Sequence, residues 1–450
     1  MDPKLLPFAL QDVPRYTSYP TAAQFVADFP PVVADEWLAE LSPGASLSVY
    51  VHIPFCRQLC WYCGCHTSVP NSYDRAARYV ELLIQDIRRT AQRTGLARGR
   101  VKHLHFGGGT PTFLNDPHIG DILKAVDQGF GLAADAEIAL ESDPRTLTRD
   151  RAKILAAMGF TRISFGVQDF AIPVQMKINR LQTYGLVAAA TEFLRAAGFA
   201  SINFDLMYGL PGQTEASVAK TALQAAELGP DRLAVFGYAH VPWFKKHQHM
   251  IADADLPGVT ERYAQAKTIE AELRTAGYMA IGLDHFALPH DELSIAAANR
   301  TLRRNFQGYT TDVSDALLAF GASAISELPQ GFAQAARDTL HWSERIAAGE
   351  NPVKRGLALT AEDRMRGEVI ERLMCDFTVD FGAVAARHGF TPEIFADVPQ
   401  RLQLALDAGL ASLMETRVSV PHEHRLFLRS VASIFDSYFV VAPNRHAKAV

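Results

Sequence analysis

Cys56, Cys60 and Cys63 stand in one short run, HIPFCRQLCWYCGC, at the spacing C-x3-C-x2-C. Four of the five cysteines in the chain fall within this stretch, and such clustering argues for a metal site over scattered packing. Three thiolates on one loop can hold three irons of a four-iron cubane and leave the fourth without a protein donor. A small molecule can bind at that open iron and receive an electron there. Iron–sulfur proteins that only carry electrons usually supply four thiolates. A closed zinc site also takes four donors, usually as two separated pairs. The loop therefore reads as built for chemistry at a cluster. Cys65 would close the open iron if it became a fourth ligand, so it reads as a spare thiol near a substrate or as a structural one. Cys375, in an apolar helical run, reads as core.

Other polar groups fall at telling places. The glycines of GGGTPTFL (Gly107–Leu114) permit close backbone approach after an apolar run. Glu141 ends another apolar run, where its carboxylate can accept from two hydroxyl donors such as those of a ribose. Gln168, Arg180 and Asp205 are three further polar candidates, with Arg180 able to grip a carboxylate in a bidentate fork. Tyr50 and Tyr62 flank the cysteine loop; Tyr62 is suited to stack on an adenine, Tyr50 to pack beside the cluster. His52 and His240 are the two histidines placed near these groups.

The elements that must position these residues alternate in type. Apolar runs at Leu47–Ile53, Val101–Phe106, Glu137–Glu141, Arg162–Gly166, Ile202–Leu206 and Arg232–Tyr238 read as strands. Amphipathic stretches such as 73–94, 151–158, 184–197 and 217–228 lie between them. Strand and helix alternating at this pace predict an α/β fold with a parallel sheet, a full or partial (β/α)6 barrel. The cysteine loop, the glycine run, Glu141, Gln168, Asp205 and the Ala239–His240 pair then all follow or close strands, on the face that carries active sites in β/α barrels. Residues 1–45 are proline-rich and weakly periodic, and read as an arm over the barrel mouth. Residues 46–348 read as the barrel domain and 349–450 as a mostly helical C-terminal domain.

With 48% hydrophobic and 21% charged residues the chain has the composition of a soluble globular enzyme. Its net charge of −5 gives no reason to expect a nucleic-acid partner. The sequence shows no secretory leader and no stretch near the ~20 apolar residues of a membrane span. With thiols kept for a metal, that points to a reducing compartment, the cytoplasm. No dimerisation segment is evident, so a monomer is expected.

The C-x3-C-x2-C loop is the signature of the radical S-adenosylmethionine enzymes, which the chain resembles there. A narrower resemblance rests on motifs standing in order: RYTSYPTA (Arg15–Ala22), YVHIPFC (Tyr50–Cys56), CGC (Cys63–Cys65), FGGGTPT (Phe106–Thr112), GVQDF (Gly166–Phe170), INRLQ (Ile178–Gln182), DLMYGLPGQT (Asp205–Thr214), YAHVP (Tyr238–Pro242), GLDHFA (Gly282–Ala287) and NFQGYTT (Asn305–Thr311). Together they resemble the oxygen-independent coproporphyrinogen III oxidase (dehydrogenase) family of haem biosynthesis over nearly the whole chain.

That resemblance implies a partial barrel of the radical S-adenosylmethionine type with an N-terminal arm and a helical C-terminal domain. It implies a [4Fe-4S] cluster on Cys56, Cys60 and Cys63 and two molecules of S-adenosylmethionine. Tyr50, Tyr62, Gly108, Glu141, Ala239 and Ile325 would line the first molecule, and Gly109, Thr110, Gln168, Arg180 and Asp205 the second. The reaction implied turns two propionates of coproporphyrinogen III into vinyl groups by a 5′-deoxyadenosyl radical, giving protoporphyrinogen IX, with an unidentified electron donor and acceptor. Basic side chains should meet the propionates, and Arg15, Arg303 and Arg304 are the candidates. His66 and Gly237 depart from the family pattern, where asparagine is common at both places. The alternative from another class is a haem chaperone, a relative that tends to lack the RYTSYPT arm, the CGC ending and NFQGYTT; this chain has all three.

Overall fold

The computed structural model describes residues 1–440 and 448–450. Seven parallel strands form its centre: β1 (Leu47–Ile53), β2 (Val101–Gly108), β3 (Leu132–Ser142), β4 (Arg162–Gln168), β5 (Ser201–Tyr208), β6 (Arg232–Gly237) and β7 (Ala316–Phe320). They lie side by side in the order β7-β1-β2-β3-β4-β5-β6. Antiparallel strands extend both ends into a 13-stranded open sheet. Ile325–Leu328, Gly331–Ala335, Val353–Ala358 and the arm strand Val26–Ala27 continue beyond β7; His285–Ala287 and Met279–Ile281 continue beyond β6. The strand order does not close, which is the partial one of the two barrel forms that the alternation of elements allows. β7 is a parallel strand beyond the six expected, and β3 begins at Leu132 rather than near Glu137.

Helices α1 (Asp74–Arg93), α2 (Asp116–Phe130), α3 (Arg149–Ala157), α4 (Ile172–Lys177), α5 (Tyr184–Ala197), α6 (Glu215–Glu227) and α7 (Val259–Thr275) fall between the strands. Side-chain oxygens fix where several begin: Asn115, Thr148 and Thr183 accept from backbone N–H groups in the first turns of α2, α3 and α5, and Thr214 with Ser217 forms a capping box on α6. The caps at Asn115, Thr148 and Thr214 stand shortly after strand ends, so those loops on the active-site face have defined exits.

The two faces of the strands differ. On β5, Ile202, Phe204, Leu206 and Tyr208 are buried, while Ser201, Asn203, Asp205 and Met207 are only half-buried. On β4, Ile163, Phe165 and Val167 are buried, while Arg162, Ser164 and Gly166 are half-buried. The apolar positions join one extensive core; the polar ones line a hollow inside the sheet's curve.

The arm and the C-terminal part meet across this assembly. Tyr16 Oη donates to Asp436 at 3.0 Å, Tyr19 Oη lies 3.0 Å from Ser437 Oγ, and Arg429 Nη1 donates to the Val13 carbonyl at 3.2 Å. Beyond Val353–Ala358 the chain is mostly helical, led by α8 (Ala361–Asp376), whose Cys375 is buried as expected. Among the described residues no helix is long and apolar enough to cross a membrane.

Asp86 of α1 is buried, and burial pushes its carboxyl up to about 7 against the pull of Arg93 and Arg89. The folded pKa therefore lies above the unfolded value of about 3.9. Folding takes up a proton between these values, and stability is lost as pH rises through that window. Asp86→Asn is expected to unfold at a higher temperature than the natural chain at pH 8, with the difference vanishing near pH 4 in thermal scans.

Candidate active site

The cysteine loop leaves β1 and is fixed largely through its backbone. Cys56 N–H donates to the Ser68 carbonyl at 3.0 Å, and Ser68 N–H to the Pro54 carbonyl at 2.7 Å, closing the loop's neck. Trp61 N–H donates to the Ile178 carbonyl at 3.0 Å, and Asn179 Nδ2 donates to the Leu59 carbonyl at 2.9 Å. From the other side Lys245 Nζ donates to the Cys65 carbonyl at 2.8 Å and Gln248 Nε2 to the Tyr62 carbonyl at 2.9 Å, while His247 Nε2 lies 2.7 Å from the Cys63 carbonyl.

Cys56 Sγ lies 3.0 Å from Thr67 Oγ1 and 3.4 Å from Thr110 Oγ1, and Arg180 Nη1 donates to Cys60 Sγ at 3.6 Å. Cys63 is drawn down to about 7 by a hydrogen bond from Cys65, with Lys245 and Arg180 nearby; burial moves Cys56 the other way. All five cysteines are free. Among the described residues no three His, Cys, Asp or Glu side chains converge as they would on one metal ion. The three thiols instead line one cavity of about 550 Å³.

The glycine run closes against this loop. Gly109 N–H donates to the Ile53 carbonyl at 2.9 Å and Thr110 N–H to the Phe55 carbonyl at 2.8 Å. A Cβ on Gly109 would lie 2.6 Å from Thr67 Oγ1 and 2.8 Å from the Phe55 carbonyl. Gly108 has φ +116°, and a Cβ there would lie 2.7 Å from the His52 ring. Its N–H donates to Glu141 Oε2 at 3.1 Å. Glu141 also faces His105, whose Nε2 is 3.6 Å away and whose ring stacks on Tyr50.

Asp205 is held by Asn203 Nδ2 at 2.9 Å, and burial together with the charge of Glu141 raises its carboxyl to about 7. Arg180 spends its fork on the Gly166 carbonyl, Nε at 3.1 Å and Nη2 at 2.5 Å. Its nearest carboxylate, Asp143, stands 3.9 Å off and is gripped by Arg145 instead. The bidentate carboxylate pairing expected of Arg180 is therefore absent from the protein's own contacts.

Two cavities open on this face, both within the roughly 300–1,000 Å³ of ordinary ligand sites. The thiol-lined one also takes in Tyr62, Gly108, Gly109, Thr110, Gln168, Arg180 and Ala239. A second, of about 470 Å³, takes in Tyr50 and Ile325. Glu141, Asp205, Ser164, Phe236 and Cys65 line both, so the two are neighbours. Every residue expected to hold the cluster or to line a cofactor molecule thus lines one of two adjoining cavities. Of the six residues expected around one cofactor molecule, Tyr50 and Ile325 line the second cavity, Tyr62, Gly108 and Ala239 the first, and Glu141 both.

Not all expectations hold. His240 sits outside both cavities, beside Tyr238 Oη and Asp253. His52, by contrast, does reach the second cavity from beside Gly108, and burial keeps it neutral, its pKa lowered to about 4. Arg303 pairs with Glu371 at 2.8 Å, and Arg304 lies over the Tyr309 ring and bonds arm carbonyls, so neither guanidinium lines these cavities. Sequence reasoning missed His105, Ser164, Asn203 and Phe236. The signal was present for three of them: polar residues at every second place in otherwise apolar parallel strands.

Gly108→Ala combines a strained φ with a clash on His52 and is expected to lose about 1–3 kcal/mol of stability. Gly64→Ala, where an added methyl meets nothing within 4 Å, is the control and should leave the unfolding midpoint in place.

The site can now be set beside known proteins. A family model described as the radical SAM superfamily matches residues 50–225. The oxygen-independent coproporphyrinogen III oxidase of Bradyrhizobium diazoefficiens is 46% identical over 97% of this chain and 97% of its own length. That of Escherichia coli is 41% identical over 94% and 93%. The solved structure of coproporphyrinogen III oxidase from Escherichia coli, described as a radical SAM enzyme, superposes with a TM-score of 0.90 at 40% identity, covering 96% of this chain and 100% of that one. Near-complete coverage at this identity, on one fold with the cysteine loop at the mouth of the sheet, places the chain in the oxygen-independent coproporphyrinogen III oxidase family of radical SAM enzymes.

Proposed function

We propose that the chain converts coproporphyrinogen III to protoporphyrinogen IX without oxygen, by oxidative decarboxylation of two propionates to vinyl groups in haem biosynthesis. The observation that carries this reading is the full-length match to oxidases of that name, together with three thiols that line one cavity. The relatives named above are all oxidases, and none of them supports the haem-transfer alternative.

The donor set fits the implied cofactors. Soft thiolates on one loop suit an iron–sulfur cluster, and Cys56, Cys60 and Cys63 would hold it, with Cys65 turned to both cavities as a non-ligand. Gly108, Gly109, Thr110, Gln168, Arg180, Asp205 and Ala239 would line S-adenosylmethionine beside the thiols, with Glu141 placed to accept from ribose hydroxyls. Tyr62 would stack on an adenine, and Tyr50 and Ile325 would close the neighbouring cavity, where a second molecule finds room. When bound, the cluster and S-adenosylmethionine supply an abstractor of hydrogen atoms, primed by one electron.

The chain does the rest by position. Each propionate gives up a hydrogen atom from its β-carbon, then loses carbon dioxide and one electron, which leaves a vinyl group. The polar inner face holds reactants in place, and the apolar outer face and the arm keep water from a reactive carbon centre. Within this reading, residues 1–45 form the arm, 46–348 the barrel domain and 349–450 the C-terminal domain, which returns the strand Val353–Ala358 to the main sheet. A cytoplasmic monomer served by a separate electron donor and acceptor completes it, consistent with five free thiols.

Anaerobic incubation with coproporphyrinogen III, S-adenosylmethionine and a reductant tests the reading by product mass. Loss of two carboxyl groups is expected; no loss from protein that carries its cluster would end it. Cys56→Ser, Cys60→Ser and Cys63→Ser should each fold, lose most of their iron and show no turnover, while Cys65→Ser keeps its iron in the same metal analysis.

A further inference from the structure

Beside the thiol-lined cavity, and sharing Arg15, Phe236 and Tyr238 with it, is a small niche of about 40 Å³, room for a group of a few heavy atoms. Arg15, Arg262, Arg429 and Lys448 line it, against one acidic side chain, Asp284, and the buried terminal residue Val450. Asp284 is already engaged: it lies 2.8 Å from His285 Nδ1 and 3.9 Å from Arg304 Nη1. The arginines are positioned through main-chain carbonyls, which orient a guanidinium without neutralising it. Arg15 Nη2 donates to the Gly237 carbonyl at 3.4 Å and Arg262 Nη1 to the Tyr238 carbonyl at 2.9 Å. Arg429 Nη2 donates to the carbonyls of Lys448 and Ala449 at 2.7 and 2.8 Å.

Two further features mark the niche as built. Arg262 Nε and Arg429 Nε are shut off from solvent and, among the described residues, have no hydrogen-bond acceptor. Such a buried orphan on a charged group is costly and calls for a partner. The backbone has also been cleared for Arg262: a Cβ on Gly209 would lie 2.7 Å from its Nη1, and one on Gly237 would lie 3.2 Å from its Nη2 and 2.8 Å from Tyr208 Oη. Arg429 is brought down to about 10 by burial and by the charge of Arg15, the mark of cations gathered without enough anions.

We propose that Arg15, Arg262 and Arg429 form a carboxylate-binding niche that anchors a propionate of the tetracarboxylate substrate beside the reacting cavity. This rests on the oxidase reading, since it takes the substrate's acid groups as the occupant. It moves to Arg262 and Arg429 the role expected of Arg303, which pairs with Glu371, and of Arg304, which lies over the Tyr309 ring. Arg15, exposed and on the arm, is the member that an entering substrate meets first.

The test is binding of coproporphyrin III, a stable fluorescent tetracarboxylate, and of its tetramethyl ester to the cluster-loaded protein. The acid should bind at least tenfold tighter than the ester. Arg15→Gln and Arg262→Gln should each weaken the acid about tenfold and leave the ester within twofold; Arg78→Gln, on the outer face of α1, should change neither. If Arg262→Gln does not fold, Arg262→Lys and the exposed Arg15→Gln decide alone. Equal binding of acid and ester, or variants that hold the acid within twofold of the natural chain, would overturn the niche. A tenfold loss of S-adenosylmethionine affinity in these variants would assign it to the cofactor's carboxylate and overturn it equally. Wild-type turnover measured in parallel separates the two readings: no decarboxylation by the unaltered protein ends the oxidase assignment, whereas normal turnover with unmoved binding ends the niche alone.

Discussion

A parallel sheet ordinarily buries both faces, because helices cover them. In this chain β4 and β5 leave one face only half-buried, and that face, with Glu141 at the end of β3, carries Ser164, Asn203 and Asp205 into a hollow. The rest of the structure answers that constraint. An exposed polar hollow inside a strand array would fill with water, so the arm, the strands beyond β7 and the C-terminal segment are laid around its rim and tied together through Tyr16, Tyr19 and Arg429. What results is a wet-walled chamber inside a greasy shell, the setting in which charge interactions are strong and a reactive carbon centre is kept from solvent.

The cysteine loop depends on the same economy of contacts. Its carbonyls are held by Asn179, Lys245 and Gln248, with His247 beside the Cys63 carbonyl. Rigidity is thus supplied largely through the backbone rather than through the three thiols. The glycine run serves the loop from below, since any side chain on Gly109 would strike Phe55 or Thr67. A site that needs an open metal position has to be stiff without spending its donors, and this division achieves that.

Much of this was legible in the sequence, for reasons that differ by element. The run LSVYVHI gives a strand with the bounds observed, and the stretch 184–197 a helix likewise, because a near-continuous apolar run and a capped 3.6-residue period are local signals. The early part of β3, LAADA, carries no such signal: only its Leu132 pairs with β2, opposite Val101, and the register jumps before Glu137 meets His103. ALLAF, which becomes β7, is too short to be told from a helix fragment until β1 lies beside it. The cysteines, the glycine run, Glu141, Gln168 and Asp205 were found because they stand at strand ends, where topology brings them together. Charges were the harder part. Arg303 and Arg304 look free beside NFQGYTT, yet Glu371 and Tyr309 take them up, while Arg262 and Arg429 lie in helices whose pattern gives no hint of the niche they share. Long-range pairing decides which arginine is available, and one sequence does not encode that in any local pattern.

The claim on which everything turns is a four-iron cluster with one iron left open by the three thiols. Electron paramagnetic resonance of the reduced, iron-loaded protein, recorded with and without S-adenosylmethionine alongside iron and sulfide analysis, tests it most directly. About four irons per chain and a spectrum that changes on adding S-adenosylmethionine are expected. A spectrum that S-adenosylmethionine leaves unchanged, or iron that survives loss of any one of Cys56, Cys60 and Cys63, would contradict it.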